Sequence, residues 1–288
     1  MRIAIILLLS LSLISCERFT TNEFVKKTID FKKVDWYAKR AQLAYSSEAE
    51  IRSKLDKVLH VESLPALDIQ YFIEQLPDNR QLLSVRGTAN LANVREDVEY
   101  KKSRNKNIHI YVHDGFDEDA NAVFNSALPH LDKNQEILVT GHSLGAAAST
   151  LLMIYLYHED YSVGPSINFG QPKFTNKEGA KQYDFLNLTR VVNNKDLIPL
   201  VPPVTGFSSV HGDYHHFGQE VILLSGPHFV YLDNHIVTEK SLASFWANLN
   251  DVSLKDHMIA NYREDIQTKF SKQVEVPYRQ RHKYHSQK

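Results

Sequence analysis

The residues best suited to chemistry form the pentapeptide Gly141–Gly145, whose sequence is Gly-His-Ser-Leu-Gly. It follows the apolar run Ile137–Thr140 and precedes the small residues Ala146–Ala148. A serine on a sharp turn between a strand and a helix is pushed out of the sheet edge, and glycines two positions away let neighbouring backbone approach that corner. The pattern therefore predicts that Ser143 is a nucleophile for acyl transfer through a covalent serine ester. The alternative is a chance match to the same pattern.

Alternating strands and helices surround this pentapeptide. Apolar runs that end in turn residues predict strands at residues 82–85, 107–112, 137–140, 166–169, 185–192 and 219–224. Helices are predicted at residues 34–44, 48–58, 117–131 and from the pentapeptide to about residue 157. This order predicts an α/β fold, a mainly parallel mixed sheet with helices on both faces. In such sheets ligands bind at the carboxyl ends of the strands, which is where Ser143 points.

Composition predicts one domain with a nearly balanced charge. The chain has 288 residues, of which 43% are hydrophobic, and no linker-like segment divides it. Its formal net charge of −1 gives no reason to expect a nucleic-acid partner. Residues 269–288 are basic, with Glu275 as their one acidic residue. We interpret this segment as a solvated, partly disordered tail, with contact to anionic lipid headgroups as the alternative.

The amino terminus has the pattern of an export signal. Arg2 precedes the apolar run 3–14, which is too short to span a bilayer stably. The run leads to Leu-Ile-Ser-Cys at residues 13–16, which resembles the lipobox of bacterial lipoproteins, and Cys16 is the only cysteine of the chain. We expect residues 1–15 to be removed and residues 16–288 to form a single domain with a short tether and a basic tail, anchored in the bacterial cell envelope through lipidated Cys16. The alternative is a plain cleaved signal with an incidental cysteine.

Six motifs together resemble the class 3 lipases, the fungal-lipase-like branch of the α/β-hydrolases. In chain order they are Val85–Thr88, His113–Phe116, Gly141–Gly145, Gly170–Pro172, Val191–Pro199 and His216–Val221. Each motif is weak alone, but their order and spacing are specific, and the resemblance covers roughly residues 35–262. It implies an α/β-hydrolase fold and the hydrolysis of carboxylic esters without a metal or an organic cofactor.

A serine nucleophile needs an imidazole to accept its proton and a carboxylate to orient that imidazole. In α/β-hydrolases the three follow in the order serine, acid, histidine. Asp196 follows a predicted strand in an Asn-Asn-Lys turn and matches the acid motif of the family. From the residues alone, an ordinary turn aspartate is the alternative.

Eight histidines follow Asp196, and chain order alone does not choose among them. His257 is our choice, because Asp256-His257 with Tyr262 behind it resembles the late histidine segment of the family. It also lies near the start of a predicted helix capped by Ser253. A surface histidine in a first helical turn is the alternative, and His211 is the second candidate for the base.

Two backbone N–H groups are the usual stabilisers of the negative charge that forms on the reacting carbonyl oxygen. One should belong to Leu144, the residue after the nucleophile. The resemblance places the other at Thr88. We interpret Arg86 and His216 as structural residues.

Residues 89–108 occupy the place of the family's lid. Leu91, Val94 and Val98 share one helical face, so the segment is either a lid that opens on lipid or a helix packed permanently on the core. Family members with strongly interfacial lids tend to have a tryptophan where this chain has Val94. The acidic run 113–119 lacks the spacing of a calcium loop, and we interpret it as a helix start capped by Asp117 or Asp119.

The resulting hypothesis is a serine carboxylic ester hydrolase, a lipase with acylglycerols as the expected substrate class, acting as a monomer. A phospholipase A1 or lysophospholipase and a feruloyl-type esterase with the same triad are alternatives. A non-catalytic envelope lipoprotein that keeps the fold is a further one. The presence of the triad residue types together with both oxyanion positions argues against that last reading.

Overall fold

The computed structural model describes residues 28–87, 101–193, 196–202, 212–233 and 255–285. Twelve strands lie in these ranges, ten of them in one sheet. In chain order β1 to β12 are Val58–Leu64, Ile69–Gln75, Gln81–Val85, Lys102–Arg104, Tyr111–His113, Glu136–His142, Ser162–Val163, Ser166–Phe169, Leu188–Asn193, Gln219–Leu223, His228–Leu232 and Val274–Glu275. Strands β4 and β5 form a separate antiparallel pair.

The large sheet is mixed, with a parallel centre. Its strand order is β1-β2-β3-β6-β8-β9-β10-β11-β12, and the short strand β7 also pairs with β6. The contacts from β3 through β6, β8 and β9 to β10 are all parallel. Strands β1 and β2 at one side and β11 at the other are antiparallel additions. Since parallel strands end at the same edge, the segments that follow β3, β6, β8 and β9 converge there.

Helices cover both faces of the sheet. The α-helices α1 to α6 are Phe31–Leu43, Glu48–Lys54, Asp114–Ala127, Leu144–His158, Lys177–Tyr183 and Ile259–Gln267. Alternate residues of β6 face opposite sides, so Val139 packs with α3 and α4 while Leu138 packs with α1 and α6. This two-sided core confirms the predicted α/β-hydrolase fold.

Several element boundaries differ from those predicted. The second helix ends at Lys54 rather than residue 58, because the chain there enters β1. Residues 107–112 do not form the predicted strand: Ile108 and Ile110 are buried, but His109 has φ 60° and only Tyr111–His113 is a strand. The predicted strand 185–192 is shorter as well, since it begins at Leu188.

The interpretation of the acidic run 113–119 as a helix capped by Asp117 or Asp119 is wrong. Helix α3 begins at Asp114, and the side chain of His113 caps it by accepting from the Phe116 N–H. Asp117 instead accepts hydrogen bonds from Asn105 and Tyr155 inside the fold. An aromatic N-cap is outside the usual set of capping residues, which explains why the sequence pattern was misinterpreted.

The interpretation of residues 269–288 as a partly disordered tail is wrong for residues 269–285, which fold onto the domain although many of their side chains are exposed. Lys269 is fully buried, and its ammonium group donates to the backbone carbonyls of Leu224, Gly226 and Asp265. Strand β12 then pairs with β11, and residues 278–284 form a 3₁₀-helix. Within the described ranges, no helix combines the length and the apolar character needed to cross a membrane.

Candidate active site

Ser143 occupies the strained corner that its sequence context predicts. Strand β6 ends at His142, helix α4 begins at Leu144, and Ser143 between them has φ 60° and ψ −131°. This is a costly conformation for a residue with a side chain, and it aims the hydroxyl away from the strand. The helix start packs tightly against the end of β3, where a Cβ on Gly145 would lie 2.6 Å from the carbonyl oxygen of Val85. Only glycine fits at that position.

Ser143, His257 and Asp196 form one chain of hydrogen bonds. Ser143 Oγ lies 2.8 Å from Nε2 of His257, and Nδ1 of the same ring lies 2.7 Å from Oδ2 of Asp196. The three residues are 0%, 0% and 4% exposed, respectively. The alternative of a surface histidine is therefore wrong for His257. Because a carboxylate only accepts, His257 carries its proton on Nδ1 and presents the Nε2 lone pair to the serine hydroxyl.

Two further donors hold the carboxylate of Asp196. Its Oδ1 accepts from the backbone N–H of Ile198 at 2.8 Å, and its Oδ2 accepts from the Tyr262 hydroxyl at 2.5 Å. Burial, together with the adjacent Asp196, raises the pKa of Tyr262 well above its ordinary value, so the phenol remains a donor. Asp196 is thus more than an ordinary turn aspartate. Its oxygens are fixed by the segment after β9 and by helix α6.

Gly170 also shapes the site, although sequence reasoning assigned it no role. It follows β8, has φ 56°, and lies against the side chains of His257 and Asp196. A Cβ at this position would lie 2.8 Å from Cε1 of His257 and 3.1 Å from Oδ2 of Asp196. The only signal in the sequence was its place in the Gly-Gln-Pro motif of the resemblance.

The remaining predicted residues divide into those that the structure describes and those outside it. Leu144 is the first residue of α4, where a backbone N–H has no acceptor within the helix. Arg86 forms an ion pair with Asp68 at 2.6 Å, and His216 Nε2 lies 2.9 Å from the Pro199 carbonyl oxygen, as fits structural roles. Thr88, His211, Ser253, Cys16 and the residues Leu91, Val94 and Val98 lie outside the described residues. Within the described part of the 89–108 segment, Lys102–Arg104 form β4.

Residues 82–206 match the family model described as lipase (class 3). This match supports the class 3 lipase family. It includes Ser143 and Asp196, whereas His257 lies beyond it. No curated protein matches the chain. With the class 3 lipase match, the protein is a carboxylic ester hydrolase.

Solved lipase structures share the fold. Lipase II from Rhizopus niveus has 21% identity and a TM-score of 0.62, over 81% of this chain and 94% of its own. The lipase from Rhizopus microsporus var. chinensis has 21% identity and a TM-score of 0.60, over 79% and 90%. Lip2 lipase from Yarrowia lipolytica has 22% identity and a TM-score of 0.57, over 71% and 84%. At these identities the likeness shows the α/β-hydrolase fold and nothing finer.

Proposed function

We propose that this protein is a class 3 lipase that hydrolyses acylglycerol esters through an acyl-enzyme intermediate on Ser143. The observation that carries the proposal is the continuous hydrogen-bonded chain from Ser143 through His257 to Asp196. A buried serine–histidine–aspartate chain at the carboxyl edge of a parallel sheet is the arrangement that activates a hydroxyl for attack on a carbonyl. The triacylglycerol lipase named among the solved neighbours favours the same ester class.

In this mechanism Ser143 Oγ attacks the ester carbonyl carbon while its proton passes to Nε2 of His257. The imidazolium that forms is stabilised by Asp196, whose oxygens stay oriented by Tyr262 and Ile198. Collapse of the tetrahedral intermediate breaks the bond to the alcohol, and His257 gives that alcohol its proton. A water molecule then repeats the sequence on the serine ester and releases the fatty acid.

We assign the stabilisation of the tetrahedral oxyanion to the backbone N–H groups of Leu144 and Thr88. The position of Leu144 at the start of α4 supports the first assignment. For the second, Gly87 lies beside the nucleophile, since a Cβ on Gly87 would stand 3.0 Å from Cβ of Ser143. This position of Gly87 supports the second assignment. Each such donor lowers the barrier by about 3–4 kcal/mol.

The substrate class is tested by comparing the hydrolysis of emulsified triglyceride, phospholipid and feruloyl esters by the purified protein. The proposal predicts the highest kcat/KM on triglyceride, with higher activity above than below the concentration at which the substrate forms an interface. Ser143→Ala should abolish hydrolysis of all three. Preference for phospholipid would instead indicate a phospholipase A1 or lysophospholipase, and preference for feruloyl esters would indicate the esterase alternative.

We also propose that the mature protein is a monomer anchored to a membrane of the bacterial cell envelope through lipidated Cys16. The signal-like run and the cysteine at its end support the anchor, although they lie outside the described residues. Several acyl chains, at roughly 0.8 kcal/mol per buried methylene, would hold the protein durably. Cells grown with a labelled fatty acid should incorporate the label into the wild-type protein and not into Cys16→Ser. Incorporation into both proteins would contradict the assignment.

A further inference from the structure

A second chain of hydrogen bonds runs beside the triad and ends on the backbone of His257. The hydroxyl of Tyr45 lies 2.9 Å from Nδ1 of His142, and Nε2 of His142 lies 2.7 Å from the carbonyl oxygen of His257. At its other end, the Tyr45 oxygen lies beside Gly87, where a Cβ would stand 2.9 Å from it. We call Tyr45 and His142 the relay. It connects the segment after β3, the nucleophile turn and the base.

The direction of each hydrogen bond in the relay follows from its ends. A carbonyl oxygen only accepts, so His142 carries a proton on Nε2. Burial and the neighbouring His257 ring hold the pKa of His142 well below its ordinary value, which keeps the ring neutral and leaves a lone pair on Nδ1. Burial raises the pKa of Tyr45, so its phenol keeps the proton that it donates to this lone pair. The Tyr45 hydroxyl therefore selects the His142 tautomer that can hold His257.

The rings of His142 and His257 are also packed together, with centroids 4.6 Å apart and an interplanar angle of 32°. Because His142 directly precedes Ser143, a shift of the relay would change the distance between the base and the nucleophile. A positively charged His142 at this distance would repel the imidazolium that forms on His257 during the reaction. A neutral His142 does not.

We propose that Tyr45 and His142 are positioning residues. They hold the backbone of His257 at the correct distance from the nucleophile turn. The inference rests on the proposed function, since it gives the relay a role in that same reaction. Tyr45 and His142 do not exchange protons with the substrate. They act through the placement of His257, and misplacement of a catalytic group by about 1 Å can cost on the order of 10²-fold in rate.

The first test is the kinetics of Tyr45→Phe, with Tyr37→Phe as its matched control. Tyr37 lies on α1 and Tyr45 in the turn that follows this helix. The hydroxyl of Tyr37 also donates to a distant acceptor, the Pro165 carbonyl at 2.6 Å. We expect kcat of Tyr45→Phe to fall about 10-fold with KM within about twofold, while Tyr37→Phe keeps kcat within about twofold. Equal kcat values for Tyr45→Phe and the wild type would overturn the proposal.

The second test replaces His142. The amide of His142→Gln can accept from Tyr45 and donate to the His257 carbonyl, whereas His142→Leu can do neither. We expect His142→Gln to retain most of kcat and His142→Leu to lose on the order of 10²-fold. Equal losses in both variants would show that only the shape of the side chain matters and would contradict the relay.

The third test does not depend on activity. Nitrogen-15 NMR of the wild-type protein at neutral pH should show His142 protonated on Nε2 alone, and Tyr45→Phe should weaken that preference. A proton on Nδ1, or a charged His142, would overturn the inference. Absence of Ser143-dependent hydrolysis in the wild type would instead contradict the proposed function. The tautomer of His142 would still show whether the relay exists.

Discussion

Two carboxylate–tyrosine pairs in this molecule are built alike. Asp196 accepts from the hydroxyl of Tyr262, and Asp117 accepts from the hydroxyl of Tyr155. In both pairs burial, and then the adjacent carboxylate, raises the pKa of the tyrosine above its ordinary value. Each pair links two segments that are far apart in the chain. Judged by these contacts alone, the two regions have the same structural role.

The third partner of each carboxylate makes the difference. Asp196 also accepts from His257, whereas Asp117 accepts from the amide of Asn105 at 2.8 Å. An imidazole can take up and release a proton near neutral pH, and an amide cannot. Beyond His257 the chain of contacts continues to Ser143 in its strained conformation. A carboxylate–tyrosine pair therefore becomes part of a reactive site only where it orients a group that can transfer a proton to a nucleophile.

The sharpest test of this comparison replaces each carboxylate by its amide. Asp196→Asn should lower kcat on the order of 10⁴-fold, because an amide no longer fixes the reactive tautomer of His257. Asp117→Asn should leave kcat within about twofold and lower the free energy of unfolding by about 1–3 kcal/mol. Ester hydrolysis and urea denaturation of both variants measure these quantities. A comparable loss of kcat in the two variants would remove the distinction.

A second test uses two glycines with similar backbone angles. Gly170 has φ 56° and would place a Cβ 2.8 Å from His257, while Gly226 has φ 61° and nothing within 4 Å of its Cβ position. Gly170→Ala should lower kcat on the order of 10²-fold through displacement of the base. Gly226→Ala should cost only the backbone strain of roughly 1–2 kcal/mol and keep kcat. If Gly170→Ala were fully active, the close fit around His257 would have no importance for the reaction.

Removal of the two tyrosine hydroxyls should have a smaller effect. Tyr262→Phe deletes one of three donors to Asp196. A hydrogen bond to a charged group contributes roughly 1.5–3 kcal/mol, and a loss at the lower end of this range lowers kcat about 10-fold. Tyr155→Phe should reduce the free energy of unfolding by a similar amount while kcat is unchanged. Kinetics and denaturation of each variant, compared with the wild type, separate the two roles. Unchanged kcat in Tyr262→Phe would make both tyrosines purely structural.

The smallest effect on kcat is expected at Lys269. Its ammonium group is held by backbone carbonyls rather than by a carboxylate. Burial lowers the pKa of this amine from 10.5 to about 8. The unfolded chain therefore binds one more proton than the folded chain between these values, and the free energy of unfolding rises as pH increases through that window. Lys269→Met should lack this rise, as measured by denaturation at pH values on either side of the window. An equal rise in the variant would assign it to other groups.

The nucleophile turn could be predicted from the sequence because its signal is local. The strand, the two glycines and the small residues after Ser143 all lie within a dozen positions, and the strained φ of 60° follows from them. His257 could not be chosen from residue patterns alone, since it meets Asp196 across 61 positions and Ser143 across 114. The family resemblance supplied that choice.

Other features escaped prediction because tertiary packing decides them. Tyr45 reaches His142 across 97 positions, and no pattern near Tyr45 indicates the contact. Strands β1 and β2 pair with each other in an antiparallel register at the edge of the sheet, and the alternation of apolar residues did not predict them. The apolar residues Ile108 and Ile110 of the predicted strand 107–112 are buried, but His109 interrupts the strand.

The central claim is that Ser143 is a nucleophile activated by His257. Its most direct test is covalent labelling with a fluorophosphonate probe, followed by mass spectrometry of the peptides. The account predicts one adduct, on Ser143, that is absent in Ser143→Ala and forms on the order of 10³-fold more slowly in His257→Ala. Labelling of a different residue, or an unchanged labelling rate in His257→Ala, would contradict it.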